Sequence, residues 1–182
     1  GLADQQALGA RLLTVKAAGL SVTSVYIPNG KMTIHRDFKL KLAFLDSLAA
    51  YARTCLDPNG DAVIAGDFNL VPADLDTYDP HVHAGRIFHT LDERSRYGHL
   101  LEAGFVDLFR AHNPDLQAFS WWDYRAGAFH KKQGLRIDLV LGTRSVAARL
   151  KGASIDRDFR KKREGRIPSD HAPVIVDLED RG

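Results

Sequence analysis

Apolar residues recur along the chain with two different periods, and each period predicts a different kind of element. Between residue 38 and about residue 55 they recur every three or four positions, with charged residues on the other side, which predicts an amphipathic helix. Residues 61–66 form a short apolar run that is too brief for a helix and is typical of a strand buried on both faces. The middle of the chain therefore predicts a helix followed by an inner strand.

Other segments predict further strands and helices. Residues 11–27 indicate two strands around a turn at 17–19, because β-branched and aromatic residues supply much of the second strand. More strands are predicted at 119–124, 135–142 and 172–178, and helices at 92–103 and 107–112. Strands and helices interleave without an internal repeat or a linker, so we expect one α/β domain over residues 1–182.

One segment has neither period. Residues 72–90 are longer than the connections usual in compact domains, and they include histidines and aspartates. Long connections of this kind are often functional.

Composition narrows the class of protein. A chain of 182 residues with 45% hydrophobic residues can bury the core of one domain, and 26% charged residues without low-complexity tracts argue against global disorder. A single cysteine, Cys55, excludes an internal disulfide framework and a thiolate zinc site, and it favours a reducing compartment. No apolar run approaches the roughly 20 residues that span a bilayer, and residues 1–11 lack the order of a signal peptide. We expect a cytoplasmic protein without a membrane partner.

Charge is unevenly distributed, although the net charge is only +2. Residues 157–166 contain six basic and two acidic side chains. On charge alone a solvated loop is the favoured interpretation. Because this basic segment precedes Ser169-Asp170-His171 directly, the alternative is that it lies beside a site and contacts a polyanion.

Two polar clusters follow predicted strands, where α/β proteins tend to build sites: residues 66–69 and 169–171. Their carboxylates suit Mg²⁺, and their amide and imidazole donors suit negative charge developing on phosphorus. Each cluster alone is more often a turn or a cap. Together they indicate phosphate ester cleavage.

A third acidic residue, Asp138, stands in an apolar strand, where an unpaired charge is costly. Its partner could be His171, whose tautomer and orientation a carboxylate would fix. The alternative is a structural pair with Arg136 or another basic residue.

Five ordered motifs resemble the bacterial exonuclease III branch of the endonuclease/exonuclease/phosphatase superfamily, over essentially the whole chain. They are Tyr26-Ile27-Pro28-Asn29-Gly30, Gly66-Asp67-Phe68-Asn69, Phe119-Ser120-Trp121-Trp122-Asp123-Tyr124-Arg125, Gly134-Leu135-Arg136-Ile137-Asp138 and Ser169-Asp170-His171-Ala172-Pro173. The resemblance implies a two-sheet α/β sandwich that acts on double-stranded DNA. Abasic-site incision and 3′-5′ exonuclease activity would follow, with Mg²⁺ as the metal and Mn²⁺ as its alternative.

Residue roles follow from the same resemblance. Asp67 would align or deprotonate the attacking water, and Asn69 would hold the scissile phosphate and that water. Tyr26 would contact phosphate oxygens, and His171, oriented by Asp138, would stabilise the transition state.

The resemblance also implies substrate and metal contacts. Asn29, Trp121 and Arg136 would bind substrate, with Trp121 forming an aromatic wall for a base-free sugar. Asp67, Asn69 and Asp170 would bind the metal. Trp122 is more simply a core residue.

The chain departs from the family pattern at its start, where members carry further strands, a metal-binding Glu next to Gln, and an Asn. We therefore expect a sandwich that is incomplete at the amino end, self-associates through uncovered sheet, and is nearly inactive by itself. Two rival functions stay open: a small-molecule phosphatase or phosphodiesterase of the same superfamily, and a non-catalytic DNA-binding module.

Overall fold

Five strands form one mixed sheet. The computed structural model describes residues 2–54, 56–57, 59–161 and 165–180. The strands are β1 (Leu12–Ala17), β2 (Leu20–Tyr26), β3 (Ala62–Asp67), β4 (Phe105–Asp107) and β5 (Asp138–Thr143). Their order is β1-β2-β3-β5-β4, with β2 and β3 parallel and the other neighbours antiparallel. The parallel pair needs a crossover, which the helix α1 (Arg36–Thr54) provides.

Helices cover one face of this sheet and a second sheet covers the other. On the first face lie α1 and α3 (Leu91–Glu102). The second sheet consists of antiparallel β6 (Leu150–Ile155) and β7 (Val174–Leu178). Three short helices lie between the longer elements along the chain: α2 (Pro80–His83), α4 (Leu108–His112) and α5 (Arg144–Ala147).

The largest core cluster fills the space between the sheet and the long helices. Leu45, Ile64 and Leu100 belong to it and are completely buried. Burying one such side chain contributes about 1.5–3 kcal/mol. Val63, which precedes Ile64 in β3, points to the opposite face of the sheet and packs in a second cluster with Val176 of β7. Strand β3 is thus buried on both faces, as its sequence predicts, and the predicted two-sheet α/β sandwich is confirmed.

The first predicted strands and the first helix are also confirmed. Strands β1 and β2 form a hairpin whose turn, Ala18-Gly19, has φ values of 50° and 75°. Two consecutive positive φ values match the twist of a two-residue hairpin turn. Helices α3 and α4 begin and end within one residue of the predicted bounds.

The strand predicted at 119–124 is wrong. Trp121 forms only isolated antiparallel bridges, to Leu135 and to His171, and these are too short to count as a strand. The predicted strand at 135–142 begins later, at Asp138, because the backbone of Arg136 bonds to Asp76 instead of to a sheet neighbour. Strands β4 and β6 and helix α5 were not predicted.

None of the described helices is long and apolar enough to cross a membrane. Cys55, and Lys162 and Arg163 of the basic segment, lie outside the described residues.

Candidate active site

Three strand ends meet at one edge of the main sheet. Strands β2 and β3 end there with Tyr26 and Asp67, which are register partners, and the antiparallel β5 begins there with Asp138 opposite Asp67. The predicted catalytic residues of distant segments are therefore brought together by sheet pairing.

Gly66 determines how closely the middle strand approaches its neighbour. Its φ is 148°, and a Cβ atom built on it would lie 1.9 Å from the carbonyl oxygen of Val25. No side chain fits there, so glycine is required directly before Asp67.

Asn69 is held in a tight turn after Asp67. Its φ is 49°, in the left-handed region. This conformation costs an L residue about 1–3 kcal/mol, and it persists because surrounding contacts hold it. Its backbone N–H donates to Oδ1 of Asp67 at 2.8 Å, and its Nδ2 donates to Oδ2 of Asp67 and to the carbonyl oxygen of Ile27, both at 3.0 Å. Asn29 donates to Oδ1 of Asn69 at 3.1 Å. The two asparagines and Asp67 form one connected polar cluster.

The partner of Asp138 is His171. Nδ1 of His171 lies 2.8 Å from Oδ2 of Asp138, and because an ionised carboxylate only accepts, Nδ1 donates. The backbone N–H of Asp138 donates to Oγ of Ser120 at 3.0 Å, which anchors the start of β5. This arrangement leaves Nε2 of His171 as the nitrogen available to another group.

Burial and charge shift the pKa of two of these groups. Burial, reinforced by the negative charge of Asp138, raises the pKa of Asp67 to about 6. Burial alone would lower the pKa of His171, but its hydrogen bond with Asp138 and the charge of that carboxylate outweigh burial and raise it. A carboxylate that titrates near neutrality is suited to accept a proton from water.

Trp121 and Asp170 lie next to His171, since Trp121 is its bridge partner and Asp170 precedes it in the chain. Nε1 of Trp121 donates to Oδ2 of Asp170 at 2.9 Å, and the ring of Trp121 packs on the apolar cluster of Leu135 and Ile137. Trp122 is only 2% exposed and packs in the core, as predicted.

A divalent cation fits this edge in charge and ligand type. Asp67 and Asp138 place two carboxylates opposite each other at this edge. Carboxylate oxygens are the ligands that Mg²⁺ prefers. Within the described ranges, however, no group of three or more His, Cys, Asp or Glu side chains is arranged to hold a metal ion.

The structure brings Tyr26 to the site but not Arg136. Tyr26 is 52% exposed beside Asp67, with the guanidinium of Arg11 4.8 Å from its ring centre. Arg136 is 1% exposed and bonds to the carboxylates of Asp76 and Asp107 at 2.6 and 2.8 Å. The prediction that Arg136 binds substrate is therefore corrected, because its guanidinium is enclosed in a core ion-pair network.

Comparison with known proteins identifies the family. Residues 16–171 match the model of the Endonuclease/Exonuclease/phosphatase family. The chain belongs to this family.

Relatives of this family member include bacterial exonucleases. The chain is 33% identical over 166 residues to an exodeoxyribonuclease of Bacillus subtilis, covering 90% of this chain and 62% of that protein. It is 34% identical to exodeoxyribonuclease III of Haemophilus influenzae, covering 88% and 62%. The chain thus spans less than two thirds of the length of either relative.

Solved structures show the same fold. One is the 3′ phosphatase NExo from Neisseria bound to a product DNA hairpin, with a TM-score of 0.90 and 34% identity over 98% of this chain and 69% of that one. Another is an AP endonuclease from Archaeoglobus fulgidus, with a TM-score of 0.88 and 31% identity over 93% and 65%.

Two buried residues of this family member were not among the sequence predictions. Lys41 and Glu93 are completely buried and form an ion pair with each other. Lys41 also contacts the loops that carry Asn29 and Asn69. Lys41 stands three residues after Phe38 and four before Leu45, so it occupies the apolar stripe of α1. A lysine on such a stripe, together with the Thr90-x-x-Glu93 capping box, was the available signal.

Proposed function

We propose that the protein carrying this chain is a metal-dependent DNA phosphodiesterase that incises strands at abasic sites and trims 3′ ends. The observation that carries the proposal is the joining of Asp67, Asn69, Asp138 and His171 at one sheet edge. The names of the exodeoxyribonuclease and AP endonuclease relatives support DNA as the substrate class.

Water is the proposed nucleophile. Asp67, with a pKa of about 6, accepts a hydrogen bond or a proton from a water molecule above its carboxylate. Asn69 and Asn29 hold the scissile phosphate, and Tyr26 contacts a phosphate oxygen from the end of β2. No covalent enzyme intermediate is needed, because the water attacks phosphorus directly.

His171 is proposed to stabilise the negative charge that develops on the phosphate oxygens. Its Nδ1–H is committed to Asp138, so a protonated ring presents Nε2–H towards the substrate. The pKa of His171 is raised, which favours the protonated form. Asp138 acts on the reaction through this imidazole.

Mg²⁺ is the proposed metal, with Mn²⁺ as the alternative, and Asp67, Asn69 and Asp170 are its proposed ligands. When bound, the ion would supply positive charge opposite the scissile phosphate. Trp121 is proposed as a wall for the base-free sugar, since an apolar ring face suits a deoxyribose without its base.

The test compares DNA and small-molecule substrates. The full-length protein that carries this chain is incubated, with and without Mg²⁺, with duplexes that contain a tetrahydrofuran abasic analogue, a recessed 3′ end or a 3′-phosphate. Inositol phosphates are tested in parallel. We expect Mg²⁺-dependent cleavage of the DNA substrates and no turnover of inositol phosphates. In Asp67→Asn and in His171→Ala, kcat should fall on the order of a hundredfold while DNA affinity is retained.

Each rival function gives a different result. Turnover of inositol phosphates without DNA cleavage would support a small-molecule phosphatase. Duplex binding without any metal-dependent cleavage would support a DNA-binding module. Near-normal turnover in Asp67→Asn would remove Asp67 from the mechanism.

A further inference from the structure

A buried lysine joins the two loops that carry the asparagines of the candidate site. Lys41 lies in α1 with no exposed surface. Its Nζ atom donates to the carbonyl oxygen of Asn69 at 2.5 Å, to the carbonyl oxygen of Asn29 at 3.3 Å, and to Oε1 of Glu93. An ammonium group has three N–H donors, so these acceptors use all of them.

Glu93 fixes the other end of this connection in α3. Its Oε1 also accepts from the backbone N–H of Phe88 at 3.1 Å, and its Oε2 accepts from the N–H and the hydroxyl of Thr90 at 3.0 and 2.7 Å. A buried ion pair is weak evidence for a stabilising role, because apolar replacements of similar volume are often neutral. What distinguishes this pair is its contact with two loops of one site.

Asn69 depends on contacts of this kind. Its φ of 49° lies in the left-handed region, where an L residue persists only when its surroundings hold it. Lys41 holds the carbonyl oxygen of Asn69, and Asp67 holds its N–H at 2.8 Å. The same ammonium holds the carbonyl oxygen of Asn29, whose side chain donates to that of Asn69 at 3.1 Å.

We propose that Lys41, charge-balanced by Glu93, is a positioning residue that sets the orientation of Asn29 and Asn69. The proposal rests on the proposed function, in which both asparagines hold the scissile phosphate. Because Lys41 has no exposed surface, it acts through the two carbonyl oxygens and not by touching substrate.

The kinetic test uses the double variant Lys41→Met/Glu93→Gln, which removes the donors without leaving a buried unpaired charge. We expect kcat for abasic DNA to fall by about tenfold or more, the usual scale for residues that orient a catalytic group. The KM for DNA should change less. The control is Arg149→Met, which breaks a pair with Asp61 at the opposite end of β3 and should leave kcat unchanged.

Glu93→Gln alone separates the donors from the charge pair. Burial already lowers the pKa of Lys41, and removing Glu93 lowers it further, but even the neutral amine has two N–H donors for the two carbonyl oxygens. We therefore expect kcat to stay within about threefold of wild type. A folded Glu93→Gln protein with a tenfold loss would overturn the proposal, since activity would then follow the ion pair. This variant decides the question if the double variant fails to fold.

A second readout does not depend on catalysis. The chain contains four asparagines, at positions 29, 59, 69 and 113, so ¹⁵N-asparagine labelling gives four resolved side-chain amides. In the double variant, or in Lys41→Met at low temperature, the Asn29 and Asn69 signals should shift while that of Asn113 stays. Unchanged Asn29 and Asn69 signals, or a folded double variant with wild-type kcat, would overturn the positioning role. Absence of DNA cleavage in wild type would instead count against the proposed function, and the amide signals would still decide the role of Lys41.

Discussion

His171 and Asp138 are joined at 2.8 Å between Nδ1 and Oδ2, although 33 residues separate them in the chain. The carboxylate selects the tautomer with the proton on Nδ1 or, after protonation, stabilises the imidazolium. Because the two side chains act as one unit, their substitutions should not be independent.

Asp138→Asn is expected to lower kcat for abasic DNA by about tenfold to a hundredfold, because an amide no longer favours the imidazolium or its orientation. The double variant Asp138→Asn/His171→Ala should lose no more than His171→Ala alone. Steady-state incision assays on the four proteins measure this coupling, with Asp46→Asn on the surface of α1 as a control. Additive losses would give Asp138 a role separate from the histidine.

Within the basic segment, residues 157–166, we expect Arg160 to stabilise the fold and other basic residues to bind DNA. Arg160 is 7% exposed, with its guanidinium 4.8 Å from the ring centre of Tyr124 and 5.3 Å from that of Phe129. Arg160→Ala should therefore destabilise the fold by about 1–3 kcal/mol. Its effect on the salt dependence of DNA binding should be small, which thermal melts and binding isotherms at several salt concentrations would show together.

Replacing Lys161, Lys162 and Arg163 together by alanine should have the opposite profile. If these side chains contact DNA phosphates, each lost contact reduces the slope of log K against log salt by about 0.9. Stability should change little, since Lys161 is exposed on the surface. An unchanged slope would return the segment to the interpretation of a solvated loop.

Trp121→Phe should separate the two contacts of the indole. Phenylalanine keeps an aromatic wall but lacks the N–H that donates to Oδ2 of Asp170 at 2.9 Å. If Asp170 binds the metal, the Mg²⁺ concentration for half-maximal activity should rise by about tenfold, with preference for abasic DNA retained. Trp121→Ala should lose that preference as well. An identical Mg²⁺ requirement in Trp121→Phe would remove Asp170 from the metal site.

Local patterns predicted the elements that depend on local chemistry. The stripe of α1, the hairpin turn and the doubly buried β3, which Asp67 ends, follow from periodicity and turn residues. Asp138 was predicted inside a strand and not at its start, and sheet pairing makes it the neighbour of Asp67. The need of Asp138 for a partner was readable, since a carboxylate in an apolar strand must be paired.

Other non-local partners could not be predicted from the sequence. Arg136 was predicted to bind substrate, but its partner Asp76 lies 60 residues away in a segment without periodicity. Residues 119–124 have the composition of a strand, yet they form only two isolated bridges. Trp121 exchanges backbone hydrogen bonds with Leu135, while Trp122 donates to Asp170 and Ser120 accepts from Ala172. In each case the deciding contact joins segments whose proximity only the folded chain creates.

Two of the three histidines of residues 72–90, His83 and His89, make the stability depend on pH. His89 is 5% exposed and stacks on His83 with ring centres 4.7 Å apart, and Nε2 of each ring is buried without a hydrogen-bond partner among the described residues. Burial lowers the pKa of His89 to about 4 and lowers that of His83 as well. At pH values between about 4 and 6.5, His89 is therefore neutral in the folded protein but protonated in the unfolded chain, where its pKa is 6.5.

Between pH 6.5 and pH 4 the unfolded state binds a proton that the folded state does not, so the free energy of unfolding must fall as the pH falls. By pH 4.5 the loss from His89 should be on the order of 2 kcal/mol. Aspartates also titrate in this range, so the contribution of His89 is isolated by comparing urea denaturation at pH 7 and pH 4.5 in wild type, His89→Leu and His112→Gln. His112 is exposed, and its variant should keep the wild-type pH dependence. His89→Leu should lose less stability on acidification than wild type. Equal losses in wild type and His89→Leu would mean that the folded protein accommodates a protonated His89, and that its buried Nε2 finds a partner on protonation.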